Sequence, residues 1–131
     1  MIFSTTLSPR FYETDALGHI NNVTIAAWFE VARMGFLASL PHLEDISAND
    51  WALASVQIDY LEETFFGDDV ELIVTDVKVG TTSLTVLAEI WQKNQRTVRG
   101  KSVLVHFDPK SKKSKPIPDS LRKQVNALDG P

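Results

Sequence analysis

From Val23 to Leu40 the chain carries no proline, and Ile25, Trp28, Phe29, Ala32, Phe36 and Leu40 recur at the three- and four-residue spacings of one helical face. Val31, Met34 and Leu37 carry the apolar surface around most of the circumference. Such a helix is expected to be buried on several sides rather than to lie on a surface. Asn21 or Asn22 can cap its start through the side-chain oxygen, and Pro41 ends it. One long apolar helix needs a sheet around it.

The remaining sequence supplies that sheet. Phe3 to Tyr12 reads as a strand running into the turn-like Thr14-Asp15-Ala16-Leu17-Gly18-His19. Ala54, Val56, Ile58 and Tyr60 alternate with Ser55, Gln57 and Asp59, the period of a strand with one buried face. After the Phe66-Gly67-Asp68-Asp69 turn, Val70, Leu72 and Val74 share a phase that Val77 and Val79 do not, which predicts a bulge near Thr75 or Asp76. Gly80-Thr81-Thr82 turns into a strand with Leu84, Val86, Ala88 and Ile90 on one face, and Lys93-Asn94-Gln95 turns into a last strand from Thr97 to Phe107. Pro116-Ile117-Pro118 then precedes Asp119-Ser120-Leu121, the start of a short final helix. The expectation is an α+β chain: a curved, five-stranded antiparallel sheet around one central helix, in a single domain spanning residues 1–131.

Composition removes many function classes. The chain has no cysteine, which excludes disulfides, thiolate zinc sites and a cysteine nucleophile. Its net charge of -4 argues against a nucleic-acid partner, and no apolar stretch approaches the roughly 20 residues that insert into a bilayer. Met1 to Thr6 does not read as a secretory signal, so the cytoplasm is the expected location, and Asn22-Val23-Thr24 is set aside as a chance glycosylation match. Lys110-Ser111-Lys112-Lys113-Ser114-Lys115 reads as a solvated connector or as a contact for the phosphates of a nucleotide. There is no G-x-S-x-G elbow, phosphate loop or dinucleotide turn. Asp15 and His19 are four apart but lack a third metal ligand nearby, so no metal site is expected.

What remains is Asp15, Gly18, His19 and Asn22 followed by Phe29-Glu30-Val31-Ala32-Arg33. This D-x-x-G-x-x-x-N type turn leading into F-E-x-A-R resembles the hydroxybenzoyl-CoA thioesterase family of hotdog proteins. Val56 to Leu61, the Gly67 turn, the Gly80 to Leu84 hairpin and Lys115 to Pro118 also look like their counterparts, so the resemblance covers nearly the whole chain. His19-Ile20-Asn21-Asn22 is similar to the H-V-N-N of fatty acyl-ACP thioesterases, but Leu17 stands where those proteins carry an Asn that takes part in the reaction.

The resemblance implies acyl-CoA hydrolysis, with Asp15 as nucleophile or general base and the amide of Asn22, or one beside it, at the positive end of the helix, polarising the carbonyl. Gly18 gives the turn its freedom, and His19 orients the loop, bonds near the site or is structural. A capping role is the plain alternative for Asp15, and an ion pair is the default for Glu30 and Arg33; His42 and His106 read as structural. Family members bind the acyl-CoA between chains joined edge to edge as a homodimer or dimer of dimers. That places Asn21, Ser55, Gln57, Asp59, Thr82 and Ser83 as substrate-binding candidates, with no cofactor beyond the CoA of the substrate. An acyl-ACP thioesterase and a non-catalytic acyl-CoA-binding protein are the alternatives; a hotdog hydratase would need a His and acid motif that is absent.

Overall fold

A computed structural model of the chain describes residues 2–40 and 50–128, so the Pro41 helix stop and His42 lie outside the described residues. The first expected strand is divided. β1 spans Phe3–Leu7, and beyond Pro9 the chain enters a 3-10 turn, Phe11–Glu13. Proline has no amide to give to a ladder, which accounts for the early stop.

The long helix α1 runs Asn22–Ser39, capped by Asn21. Four longer strands follow: β2 (Trp51–Tyr60), β3 (Val70–Val79), β4 (Ser83–Gln92) and β5 (Gln95–His106), then α2 (Asp119–Leu128). The sheet order is β1-β3-β4-β5-β2, antiparallel throughout, with β1 and β2 at the edges. The fold is the expected curved sheet with one long helix and a short terminal one.

The phase change in β3 is a bulge at Thr75. Val74 pairs with Ala88 and Asp76 with Leu87, leaving Thr75 over, its hydroxyl donating to the Leu87 carbonyl at 3.2 Å. The extra residue lets Val70, Leu72, Val74 and Val77 all reach the core. Lys93 and Asn94 hold φ of 52° and 61°, the two-residue hairpin geometry that matches strand twist, and β5 therefore begins two residues before Thr97.

α1 lies across β1, β3 and β4, burying Ile25, Trp28, Phe29, Ala32, Phe36 and Leu37. Over β5 the approach is close enough that a Cβ on Gly100 would stand 2.8 Å from the Phe29 ring. β2 lies beyond the helix. Its alternation therefore buries no complete face: Leu53, Val56 and Tyr60 are about half exposed. Val23 and Val31 also remain open on α1, so one chain covers its central helix on one side only. α2 packs Leu121 and Val125 against the sheet beside β3, and Arg122 donates to the Gly80 carbonyl at 2.8 Å.

Candidate active site at the start of the central helix

Thr14 and Ile20 face each other across an isolated bridge, and the residues between them form a tight turn. The Asp15 amide donates to the His19 carbonyl at 2.7 Å, and the Gly18 amide to the Asp15 carbonyl at 3.2 Å. Gly18 sits at φ 81°, where a side chain would cost about 1–2 kcal/mol. One oxygen of the exposed Asp15 carboxylate, Oδ1, accepts from the amides of Leu17 at 2.8 Å and His19 at 3.1 Å. Oδ2 accepts no hydrogen bond among the described residues. The turn-stabilising and the chemical readings of Asp15 therefore fall on different oxygens of one carboxylate.

The turn is fixed by a strap of chain at residues 61–68. Ile20 donates to the Thr64 carbonyl at 2.8 Å, Phe66 to the Gly18 carbonyl at 3.3 Å, and His19 pairs with Phe65. Buried side chains of the sheet hold the strap in turn. Gln92 accepts from the Phe65 amide at 2.9 Å and donates to the carbonyls of Phe65 at 2.8 Å and Asp68 at 2.9 Å. The Thr97 carbonyl accepts from Leu61 and Glu62, and the Thr64 hydroxyl donates to that of Thr97 at 2.8 Å.

Asn21 is spent on the helix cap. Its Oδ1 accepts from the Thr24 amide at 2.8 Å, and its Nδ2 donates to the Glu13 carbonyl at 3.0 Å. Glu13 ties the same corner together, accepting from the Arg10 amide at 2.6 Å and from the Trp28 indole at 3.3 Å. Asn22 is thereby the exposed first residue of α1. It opens on a cleft of about 450 Å³ lined by Ile20, Ile25 and the chain from Tyr60 to Thr64. First-turn amides have no partner within a helix and carry the positive end of its dipole, so this cleft suits an oxygen that gains negative charge. His19 borders it, with Nδ1 2.9 Å from Glu63 Oε2 and its ring edge-on to Phe65 at 4.9 Å.

Asp15, Gly18 and His19 thus share one turn, Asn21 caps the helix that follows and Asn22 lines the cleft, while the remaining candidates lie elsewhere in the chain. Gly100 turns its Cβ position toward Phe29, so its partner Ile58 faces α1, and Gln57 and Asp59 face away. Those two line an outer groove of about 320 Å³ with Leu87, Arg99 and Lys101, where Arg99 donates to Asp59 at 2.9 Å. Ser55, paired with Val103, belongs to the same exposed edge strand. Thr82 and Ser83 sit at the far end of β4 from Gln92, about 30 Å away at strand rise. There the Thr82 carbonyl accepts from His106 and that of Ser83 from Gly80, both at 2.8 Å.

Glu13, Glu63 and Gln92 were not singled out by the motif. Gln92 had a signal: it continues the even phase of Leu84 to Ile90, a polar side chain where the pattern calls for an apolar one. Glu63 follows a strand end beside a second acid and carries no periodicity. Nor does Arg33 pair closely with Glu30. Its guanidinium turns inward to a 3.4 Å contact with the Ser102 hydroxyl, and burial pushes its pKa below the usual range, with Glu30 opposing that shift.

Residues 9–125, which include the turn, the helix and the whole sheet except β1, match the family model of the thioesterase-like superfamily. The chain belongs to that superfamily. Among curated relatives, the uncharacterized protein YsmA of Bacillus subtilis (strain 168) is 34% identical over 84 residues, a match covering 64% of this chain and 57% of YsmA. A predicted thioesterase from Bacillus stearothermophilus is similar in structure, with TM-score 0.86 and 33% identity over 96% of this chain and 95% of that one. A thioesterase complexed with coenzyme A and zinc, from Thermus thermophilus, gives TM-score 0.84 and 28% identity over 98% and 94%. No helix among the described residues of this thioesterase-like protein is long and apolar enough to cross a membrane.

Proposed function

We propose that this protein hydrolyses acyl-CoA thioesters in the cleft at the start of α1, with Asp15 as the reacting carboxylate. The observation that supports the reading is the division of labour on Asp15: Oδ1 is held by two amides, while Oδ2 accepts no hydrogen bond among the described residues, in the turn that leads into the helix. With the thioester carbonyl oxygen against the Asn22 amide, Oδ2 either attacks the carbonyl carbon or takes a proton from a water that does so. The carbon–sulfur bond breaks, the CoA sulfur leaves as thiolate and gains a proton, and water supplies the oxygen of the carboxylic acid product. The residues of the chain and water supply every group, so the reading includes no cofactor and no metal, and it sets the reaction in the cytoplasm. The CoA complex of the Thermus thermophilus relative favours CoA as the carrier.

The working unit in this reading is a homodimer, alone or within a tetramer, joined along β2. An antiparallel two-fold pairing of these edges brings the partner subunit's hairpin end to the end of the sheet that holds the cleft. That would give Thr82 and Ser83 a place along the pantetheine arm and set Ser55, Gln57 and Asp59 along the joined edge. The similarity of His19-Ile20-Asn21-Asn22 to acyl-ACP enzymes makes ACP the second carrier to test. The test is thiol release from short, long and aromatic acyl-CoAs by wild type and Asp15→Asn. Turnover that is lost in the variant is the expected result, and turnover unchanged by the substitution overturns it.

A further inference from the structure

Both carboxylate oxygens of Glu13 accept hydrogen bonds, and their donors lie far apart in the chain. Oε1 accepts from the Arg10 amide at 2.6 Å, and Oε2 from the Trp28 indole at 3.3 Å. The Glu13 carbonyl in turn accepts from the Asn21 amide at 2.9 Å and from Asn21 Nδ2 at 3.0 Å. The bond to Arg10 belongs to a capping box on the 3-10 turn, a local role that occupies one oxygen only. A capping box does not explain the second oxygen, which reaches 15 residues ahead to the second turn of α1. Glu13 forms no ion pair among the described residues, and the Arg10 guanidinium donates to the Tyr12 hydroxyl instead.

The turn that carries Asp15 has a neck, formed by Glu13 and Thr14 on one side and by Ile20 and Asn21 on the other. Asn21 joins this neck to the helix through its own backbone, and a single joint would let the turn swing about that residue's φ and ψ. Such a swing would carry Asp15 toward or away from the Asn22 amide while every bond inside the turn stayed intact. A second attachment removes the freedom. Side chains of a helix lean toward its N-terminus, so the indole N–H of the buried Trp28 points back at the neck and holds Glu13 from the rigid core. The strap steadies the turn from another side, through Ile20 on Thr64 and Phe66 on Gly18.

We infer that Glu13 is a positioning residue for the hydrolysis, its carboxylate bridge to Trp28 setting the separation between the Asp15 carboxylate and the first-turn amides of α1. The assignment rests on the acyl-CoA reading, in which Asp15 acts at the carbonyl carbon and the Asn22 amide at its oxygen. Reacting groups tolerate little misplacement, since an error of about 1 Å costs on the order of a hundredfold in rate. Glu13 does not itself take the proton, because both of its oxygens already accept from N–H groups. Glutamine has the same size but a single acceptor oxygen, so at position 13 it keeps one of the two donors and turns an NH2 group toward the other. Glu13→Gln therefore cuts the bridge without emptying the corner.

The experiment compares wild type, Glu13→Gln, Trp28→Phe and the double variant, at a temperature where melting curves show all four folded. Thiol release from an acyl-CoA is followed across pH, and hydrogen exchange is read at the Ile20 and Phe66 amides that tie the turn to the strap. Each single variant is expected to lower kcat by about tenfold with KM changed less than about twofold, and the double variant to be no slower than the singles, because both cut one bridge. The acid limb of the pH profile keeps its midpoint at a lower plateau. Exchange at Ile20 and Phe66 quickens in both single variants while the Ile90 amide in the buried sheet is unchanged, a readout that needs no turnover. Wild-type kcat in Glu13→Gln, losses that add in the double variant, or unchanged exchange at Ile20 and Phe66 overturns the inference. A vanished acid limb does so too, by making Glu13 the base. If wild type releases no thiol from any acyl-CoA, or Asp15→Asn keeps the wild-type rate, the functional reading itself falls and the inference with it; turnover lost in Asp15→Asn but kept in Glu13→Gln removes only the role of the bridge.

Discussion

His19 and Glu63 meet at 2.9 Å, Nδ1 to Oε2, across the junction between the turn that carries Asp15 and the strap that templates it. An ionised carboxylate on Nδ1 holds the proton there and leaves Nε2 as the other polar edge of the ring. Glu63 is more than half exposed, so its contribution to stability is small and its effect is on orientation. Glu63→Gln should leave the melting temperature within about 2 °C and lower kcat by about three- to tenfold with little change in KM, read by steady-state kinetics and thermal melting. A larger loss of stability than of rate would show a structural tie only.

The two oxygens of Asp15 separate two substitutions. Asn keeps an Oδ1 that can accept from Leu17 and His19, so Asp15→Asn should fold normally and lose at least about a hundredfold in kcat. Asp15→Ala also removes the acceptor and should in addition cost about 1 kcal/mol of stability. Denaturant melts of the two variants check the difference.

Gln92 holds the strap through three hydrogen bonds from a buried position. Gln92→Leu should cost about 1–3 kcal/mol by stranding those backbone groups, and activity should fall further than stability because His19 and Gly18 take their positions from the strap. Hydrogen exchange at Phe65 and Phe66, faster in the variant, reads the loosening directly.

Gly100 faces the Phe29 ring with 2.8 Å between a would-be Cβ and the nearest carbon. Gly100→Ala should destabilise by about 1–3 kcal/mol through overpacking. Phe29→Leu in the same chain should recover part of that loss, a coupling that a double-mutant cycle measures.

Arg33 is a buried cation with one long hydrogen bond, so replacing it with an apolar chain of similar length should not weaken the fold. Burial lowers its pKa, so the folded state holds this proton less tightly than the unfolded chain. The resulting cost is constant at every pH well below the lowered value and is relieved only as pH rises through it, far into the alkaline range. Arg33→Met should therefore melt at or above the wild-type temperature, with a difference that is flat between about pH 6 and 9. A melting temperature clearly below wild type would reveal a partner for the guanidinium in the assembled protein.

Periodicity carried most of the fold because each buried stripe reports the face it packs on. The Thr75 bulge was visible as a phase slip between Val74 and Val77, and the α1 stripe named Ile25, Trp28, Phe29 and Phe36 as core. It misled at Tyr12, where Pro9 ends the ladder, and at β2, whose alternation lacks a covering helix within its own chain. Of the site, the short-range part was legible: Asp15, Gly18, His19 and Asn22 lie within one local segment, so their types and spacing carry their geometry. Glu63 and Gln92 act across long loop closures, and no local spacing encodes a pairing between residue 19 and residue 63. Thr82 and Ser83 lie at the far end of β4 from Gln92, and no local spacing relates them to the turn at Asp15.

The bare margin of β2 has a consequence for how the protein behaves in a cell or a test tube. Among the described residues nothing pairs with its outer side, where alternate residues of the ten present backbone donors and acceptors, and Leu53, Val56 and Tyr60 add adhesive surface. A solitary chain is therefore the form most prone to sticking to unrelated extended polypeptide. In the two-chain reading dilution would uncover this edge, and the specific activity should rise with concentration as mass action favours the mated form.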